Sequence, residues 1–99
     1  RIDLAPAQNA LNQNFPNPFN ESTSIKFELP QSSFVNLSVF DISGRHICTL
    51  IENYCVEGAH QVYWNGNNIE GLKVSGGMYV YRLRAADGTV FSRKMALIK

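Results

Sequence analysis

The sequence predicts an all-β sandwich of immunoglobulin-like architecture, with about seven antiparallel strands, on three observations. Short stretches of apolar/polar alternation recur along the chain. Turn-forming residues separate them every several positions. No helical period of useful length survives in between.

The elements follow in order. Arg1 to Ala10 (RIDLAPAQNA) has little periodicity and reads as a linker or mobile arm before a domain running from Leu11 to Lys99. The rest of the chain is organised around Gln13 to Asn20 (QNFPNPFN). Pro16 and Pro18 fix φ and remove two backbone donors, which excludes helix and pushes Phe15 and Asn17 to extended backbone. Asn17 and Asn20 suit turns. Burying rings such as Phe15 and Phe19 contributes about 1.5 to 3 kcal/mol each. The segment is therefore expected to be an irregular, pinned plug at one end of the fold.

Ser24 to Leu29 (SIKFEL) alternates cleanly, with Ile25, Phe27 and Leu29 inward and Lys26 and Glu28 outward, and Pro30 ends it. Phe34 to Asp41 repeats the pattern with Val35, Leu37 and Val39 inward. Asp41, Ser43 and Gly44 then turn the chain into His46 to Ile51, the second arm of a hairpin. Asn53 to Gly58 reads as a loop. His60 to Trp64 is a strand with Val62 and Trp64 on one face, and Asn65 to Gly71 (NGNNIEG) is dense in turn formers. Gly77 to Ala85 (GMYVYRLRA) is the clearest strand, with Tyr79, Tyr81 and Leu83 opposing Met78, Val80 and Arg82. Asp87 and Gly88 turn it into the closing strand, Thr89 to Lys99.

Ninety-nine residues make one domain, large enough to bury a core without a metal or disulfide framework. A net charge of +1, from nine basic and eight acidic residues, supplies no field for steering nucleic acid. No apolar run is long enough to span a membrane and no signal sequence opens the chain, so an exported protein of this sequence would carry its export signal upstream.

Candidate chemistry is sparse. His46 and His60 open two strands and read as flanking residues, and the carboxylates are scattered over separate turns and faces, with no pair placed for acid and base work. Asn65, Asn67, Asn68 and Glu70 offer oxygens to calcium, but with so little anionic charge a turn is the simpler reading. Cys48 and Cys55 lack the close partners of a zinc site; a disulfide between them and two free thiols both fit the spacing. The sequons at Asn20 and Asn36 matter only in a eukaryotic secretory pathway. Of the aromatic rings, Trp64, Tyr79 and Tyr81 have the parity of core residues, and Tyr63 and Phe40 are the exposed candidates for a stacking surface. No enzyme site, cofactor site or metal site is expected. The last strand has the apolar run Met95, Ala96, Leu97, Ile98 flanked by Arg93, Lys94 and Lys99. As a sheet edge it is expected to offer unpaired backbone groups to a partner.

The stretches LNQNFPNPFN, IKFELP, VNLSVFDISGRHICTLI, GAHQVYWNGNN, VSGGMYVYRL and SRKMALIK, in this order and spacing, resemble the type A C-terminal sorting domain of type IX secretion cargo from Bacteroidetes and related phyla. The likeness runs from Leu11 to Lys99. Cys48 and Cys55 depart from the family pattern, and Glu21 stands where proline is frequent. The resemblance implies a non-catalytic secretion signal at the C-terminus of a larger cargo, read by the outer-membrane type IX translocon. It also implies a secretion-linked sortase that cleaves near the domain's N-terminal boundary, with surface anchoring of the cargo. Translocon recognition then falls on Lys94, Met95, Ala96, Leu97, Ile98 and Lys99, while Pro16, Asn17, Pro18, Phe19, Gly44, Gly77 and Tyr79 are family motif residues with structural roles. The competing expectation is an adhesion or carbohydrate-binding module kept on the mature protein.

Overall fold

The structure, a computed structural model, describes residues 10–98. The expected linker, apart from Ala10, and the expected contact at Lys99 lie outside them. Seven strands form: β1 (Ala10–Leu11), β2 (Thr23–Leu29), β3 (Ser33–Asp41), β4 (His46–Cys55), β5 (Gly58–Trp64), β6 (Gly77–Ala85) and β7 (Val90–Leu97). They make a three-stranded sheet of order β1-β2-β5 facing a four-stranded sheet of order β4-β3-β6-β7, with every pairing antiparallel. This is the predicted all-β, immunoglobulin-like sandwich.

The alternating strands place their side chains as expected. Ile25, Phe27 and Leu29 of β2, Val35, Leu37 and Val39 of β3, and Tyr79, Tyr81 and Leu83 of β6 are all buried between the sheets. Trp64 lies at the centre of an aromatic cluster, edge-on to Phe19 at 5.6 Å and to Tyr79 at 5.3 Å between ring centroids. Edge-to-face pairs of this kind add about 0.5 to 1.5 kcal/mol beyond the area they bury. The two hairpins also form where turn residues foretold them. At Asp41–Arg45 the carboxylate accepts from the Ser43 and Arg45 amides, and Gly44 supplies φ +92°. At Asp87–Gly88 the Asp87 carboxylate accepts from the Thr89 amide.

β4 departs from expectation. It does not stop at Ile51 but runs to Cys55, so the expected loop from Asn53 shrinks to Val56 and Glu57, where the chain crosses to the other sheet. The cause is two irregularities against β3: the register passes from Leu37↔Ile51 to Ser38↔Thr49 and from Val39↔Cys48 to Phe40↔His46, skipping Leu50 and Ile47. A bulge turns two consecutive side chains to one side, so Ile47 with Cys48 and Leu50 with Ile51 face inward together, and the period of two that marks a strand is lost. The same extension rules out the disulfide. Cys48 and Cys55 are seven residues apart on one extended strand, on the order of 20 Å, where a disulfide needs Cα atoms within about 7 Å. Both thiols are free, and burial raises the pKa of each.

Two aromatic expectations also change. Phe40 is half-buried, because Arg82 lies over its ring at 4.4 Å and His46 packs edge-on. Phe15 is 78% exposed while Phe19 is 2% exposed, so the proline-rich segment plugs the core with one ring.

Candidate recognition surface

Phe19 is placed by β7. Its amide donates to the Ala96 carbonyl at 3.0 Å and its carbonyl accepts from the Ile98 amide at 2.7 Å, a short parallel bridge along the outer edge of the last strand. The side chains before it continue the pairing where prolines cannot donate. The Asn17 Oδ1 accepts from the Ala96 amide at 3.0 Å, and the Gln13 amide group donates to the Lys94 carbonyl at 2.7 Å. Phe15 bonds Ser24 of β2 through both its backbone groups, which fixes the other end of the segment. The peptide bonds before Pro16 and Pro18 are both cis.

Asn14 is the polar centre of this clamp and is 2% exposed. Its Nδ2 donates to Thr23 Oγ1 at 2.9 Å and to the Pro16 carbonyl at 3.1 Å, its Oδ1 accepts from Gln13, and its backbone amide donates to the Tyr81 hydroxyl. Thr23 closes the ring by donating to the Pro16 carbonyl, and Tyr81 donates onward to the Asn12 carbonyl at 2.7 Å. Burial raises the Tyr81 pKa, so the phenol keeps the proton that this last bond needs. Arg93 reaches across from β7 to the Leu11 carbonyl.

The terminal strand therefore differs from the open edge expected of it. Between Lys94 and Ile98, the Lys94 carbonyl, both Ala96 backbone groups and the Ile98 amide are met by Gln13, Asn17 and Phe19. Within the run Lys94 to Ile98, Met95 and Leu97 are core residues, Ala96 is half-buried, and only Lys94 and Ile98 are exposed. The motif residues fall around the same end of the sandwich. Pro16, Asn17 and Pro18 are exposed in the clamp. Gly77 opens β6 opposite Leu97 with φ +148°, and the Tyr79 hydroxyl donates to the Ser75 carbonyl at 2.6 Å. Gly44 sits in the β3–β4 turn, which walls a cleft of about 600 Å³ with Ile69, Lys73 and Met78. In the Asn-rich loop, Asn65 and Asn68 use their Oδ1 atoms to accept from the amides of Asn67, Glu70 and Leu72, as turn residues do. Apart from Phe15, the exposed rings divide between the two outer faces: Phe34 and Tyr54 pair on the larger sheet, and Tyr63 lies on the smaller one.

What sequence reasoning missed here is Asn14, Thr23 and Gln13. Their partners lie up to 81 residues away, and no local pattern marks an asparagine as buried.

A family model described as a secretion system C-terminal sorting domain matches residues 13–98. The chain belongs to this family. The matched span opens on Gln13, the first residue of the clamp, and ends on Ile98, its last backbone partner. The sorting domain also shares its fold with solved structures. Latent PorU of Porphyromonas gingivalis, crystallised as a dimer, superposes with a TM-score of 0.73 at 22% identity, over 94% of this chain and 10% of that one. PorZ, a surface component of the type IX secretion system of the same organism, gives 0.61 at 18% identity, over 88% and 11%. FlgD of Xanthomonas campestris, a flagellar hook-capping protein, gives 0.61 at 19% identity, over 90% and 66%. The sorting domain thus spans about a tenth of the PorU and PorZ chains. No curated protein matches it.

Proposed function

We propose that this sorting domain is the non-catalytic export address of a larger protein fused before it, and that it directs that cargo through the outer membrane by the type IX translocon to the outside or the cell surface. Cleavage by a secretion-linked sortase and anchoring of the cargo follow in this reading. The observation that carries it is the family match over residues 13–98. Among the described residues no three His, Cys, Asp or Glu side chains are grouped so as to hold a metal ion.

The clamp refines which residues the translocon would touch. Met95 and Leu97 support recognition from within the core, and Lys94 and Ile98, with the exposed Pro16–Pro18 rim beside them, are the accessible members. Deleting the last six residues would remove two core side chains along with any contact. A cleaner variant is Lys94→Glu with Ile98→Ser, which leaves the core intact. Fused behind an inert periplasmic reporter in a host with a type IX system, the native domain is expected to carry the reporter out of the cell, and the double variant to leave it in the periplasm with the domain folded. Normal export of the variant would remove Lys94 and Ile98 from the reading. Retention of the native fusion would overturn the reading itself.

A further inference from the structure

Of the four sheet edges, one is unprotected among the described residues. β1 is two residues long, β7 is clamped from Lys94 to Ile98 and carries Arg93 and Lys94 upstream, and β4 is bulged twice, bears Glu52, and has its Ile47 carbonyl taken by the Ile69 amide. β5 differs on every count: seven residues in unbroken register with β2, without proline, bulge or formal charge.

The facing of its backbone groups follows from β2. Ser24 bonds Phe15 and Lys26 bonds Asn12, both away from β5. The alternation of an antiparallel ladder then turns Ile25 and Phe27 toward Val62 and His60, and leaves Ala59, Gln61 and Tyr63 with N–H and C=O pointing outward. Among the described residues no hydrogen bond meets those groups.

The smaller sheet is one strand short of the larger on this side. Three strands face four, and β1 with Arg93 aligns the smaller sheet with the β7 side. β4 is thereby left without a full cover. Leu50, Ile51 and Cys55 are only half-buried, and Asn53, opposite inward-facing Val35, is exposed. Where the lane meets the 65–76 loop, a cleft of about 490 Å³ opens between Leu50 and Tyr63–Trp64, and the Asn67 Oδ1 in its wall is buried without a hydrogen-bond partner.

We infer that the β5 edge is a β-augmentation site for a single extended segment of another polypeptide, apolar at every second residue. Its backbone pairs with Ala59, Gln61 and Tyr63, and its apolar side chains cover Leu50, Ile51 and Cys55. The lane favours one strand over a second folded copy. Adjacent strands lie about 4.8 Å apart, and two copies joined edge to edge through β5 would bring their projecting β4 strands into the same space. The site is separate from the tail and does not depend on the sorting role.

The test uses the isotope-labelled 99-residue chain and a blocked heptapeptide TSIKFEL, whose alternation matches such a segment. The same peptide with proline in place of its phenylalanine is the control. Binding is expected to slow amide exchange at Ala59, Gln61 and Tyr63 by about tenfold or more and to shift the Leu50 and Cys55 side-chain signals. Gln61→Pro removes an outward donor without touching the β2 ladder, and should abolish both effects in a folded chain; Ala59→Lys, a charge on the same edge, is the second variant. No binding at millimolar peptide, effects centred on β4 or β7, or effects that survive both variants would overturn the inference. So would a concentration-dependent dimer that protects the same three amides without peptide.

Discussion

Two edges of the same sandwich solve opposite problems. The outer side of β7 is covered by the chain's own irregular segment, whose two prolines cannot donate and whose asparagine and glutamine side chains make the missing bonds. On the outer side of β5 no hydrogen bond from the described residues meets the backbone. The contrast shows what the QNFPNPFN stretch does physically. It works as an edge strand in which side chains replace backbone, and a regular strand in its place would itself present a new open edge.

The largest expected effect breaks the clamp at its anchor. Phe19→Ala removes a fully buried ring from contact with Trp64 and should cost about 3 to 5 kcal/mol in denaturant unfolding. Phe15→Ala, four residues away at an exposed position, should stay within about 0.5 kcal/mol. Equal costs for the two would mean that both rings carry the plug, as the sequence alone suggested.

Asn14→Ala comes next. It leaves the Thr23 hydroxyl and the Pro16 carbonyl short of a partner in a buried site, a loss of about 1 to 3 kcal/mol. Hydrogen exchange on the same variant should be faster at the Ala96 and Ile98 amides, because the clamp is one hydrogen-bonded unit with them. If exchange at β7 is unchanged, Asn14 stabilises the loop without holding the edge.

A matched pair of prolines then compares the edges directly. Ala96→Pro removes the donor to Asn17 and sets a ring against the bridge at Phe19, and should cost about 1 to 2 kcal/mol. Gln61→Pro removes a donor that meets no described residue, and should cost less than about 1 kcal/mol, partly from the lost side-chain bond to Ser24. A reversal of that order would show that β5, not β7, is the covered edge.

How much of this was legible follows from period and distance. β2, β3 and β6 place a large apolar side chain inward at every second position, so Ile25, Phe27, Val35, Leu37, Tyr81 and Leu83 could be assigned to the core from sequence. β4 could not be bounded, because its bulges set Ile47 beside Cys48 and Leu50 beside Ile51 on one face, and its polar end at Glu52–Tyr54 resembles a loop. The prolines announced an irregular segment, but in irregular backbone there is no parity to tell Phe15 from Phe19. The clamp on β7 was the least legible feature of all. It rests on bonds between residues 13–19 and 94–98, and the apolar run at the chain's end looks the same whether its edge is open or occupied.

The smallest effect separates the turn at one end of β4 from the clamp by pH. The Asp41 carboxyl is held down at about 2, first by the Ser43 hydroxyl that donates to it, then by the Arg45 amide. A carboxyl whose folded pKa lies below its unfolded value of 3.8 adds stability above that value, and the contribution fades as pH falls through about 2. Asp87, held below its usual range by the Thr89 hydroxyl and amide, acts in the same sense in the other hairpin. The bonds of the clamp, from Gln13, Asn14, Asn17 and Phe19, involve no carboxylate. Amide protection at Ser43 and Arg45 should therefore decline between about pH 4 and pH 2, and that at Thr89 as pH falls below the ordinary aspartate range, while Phe19, Ala96 and Ile98 keep theirs for as long as the sandwich stays folded. Asp41→Asn should flatten the pH dependence at Ser43 and Arg45 and leave it in place at Thr89. Parallel loss at all six amides would mean that the hairpin turns and the clamp open together, and that the two regions are coupled through the core more tightly than their separate bonds imply.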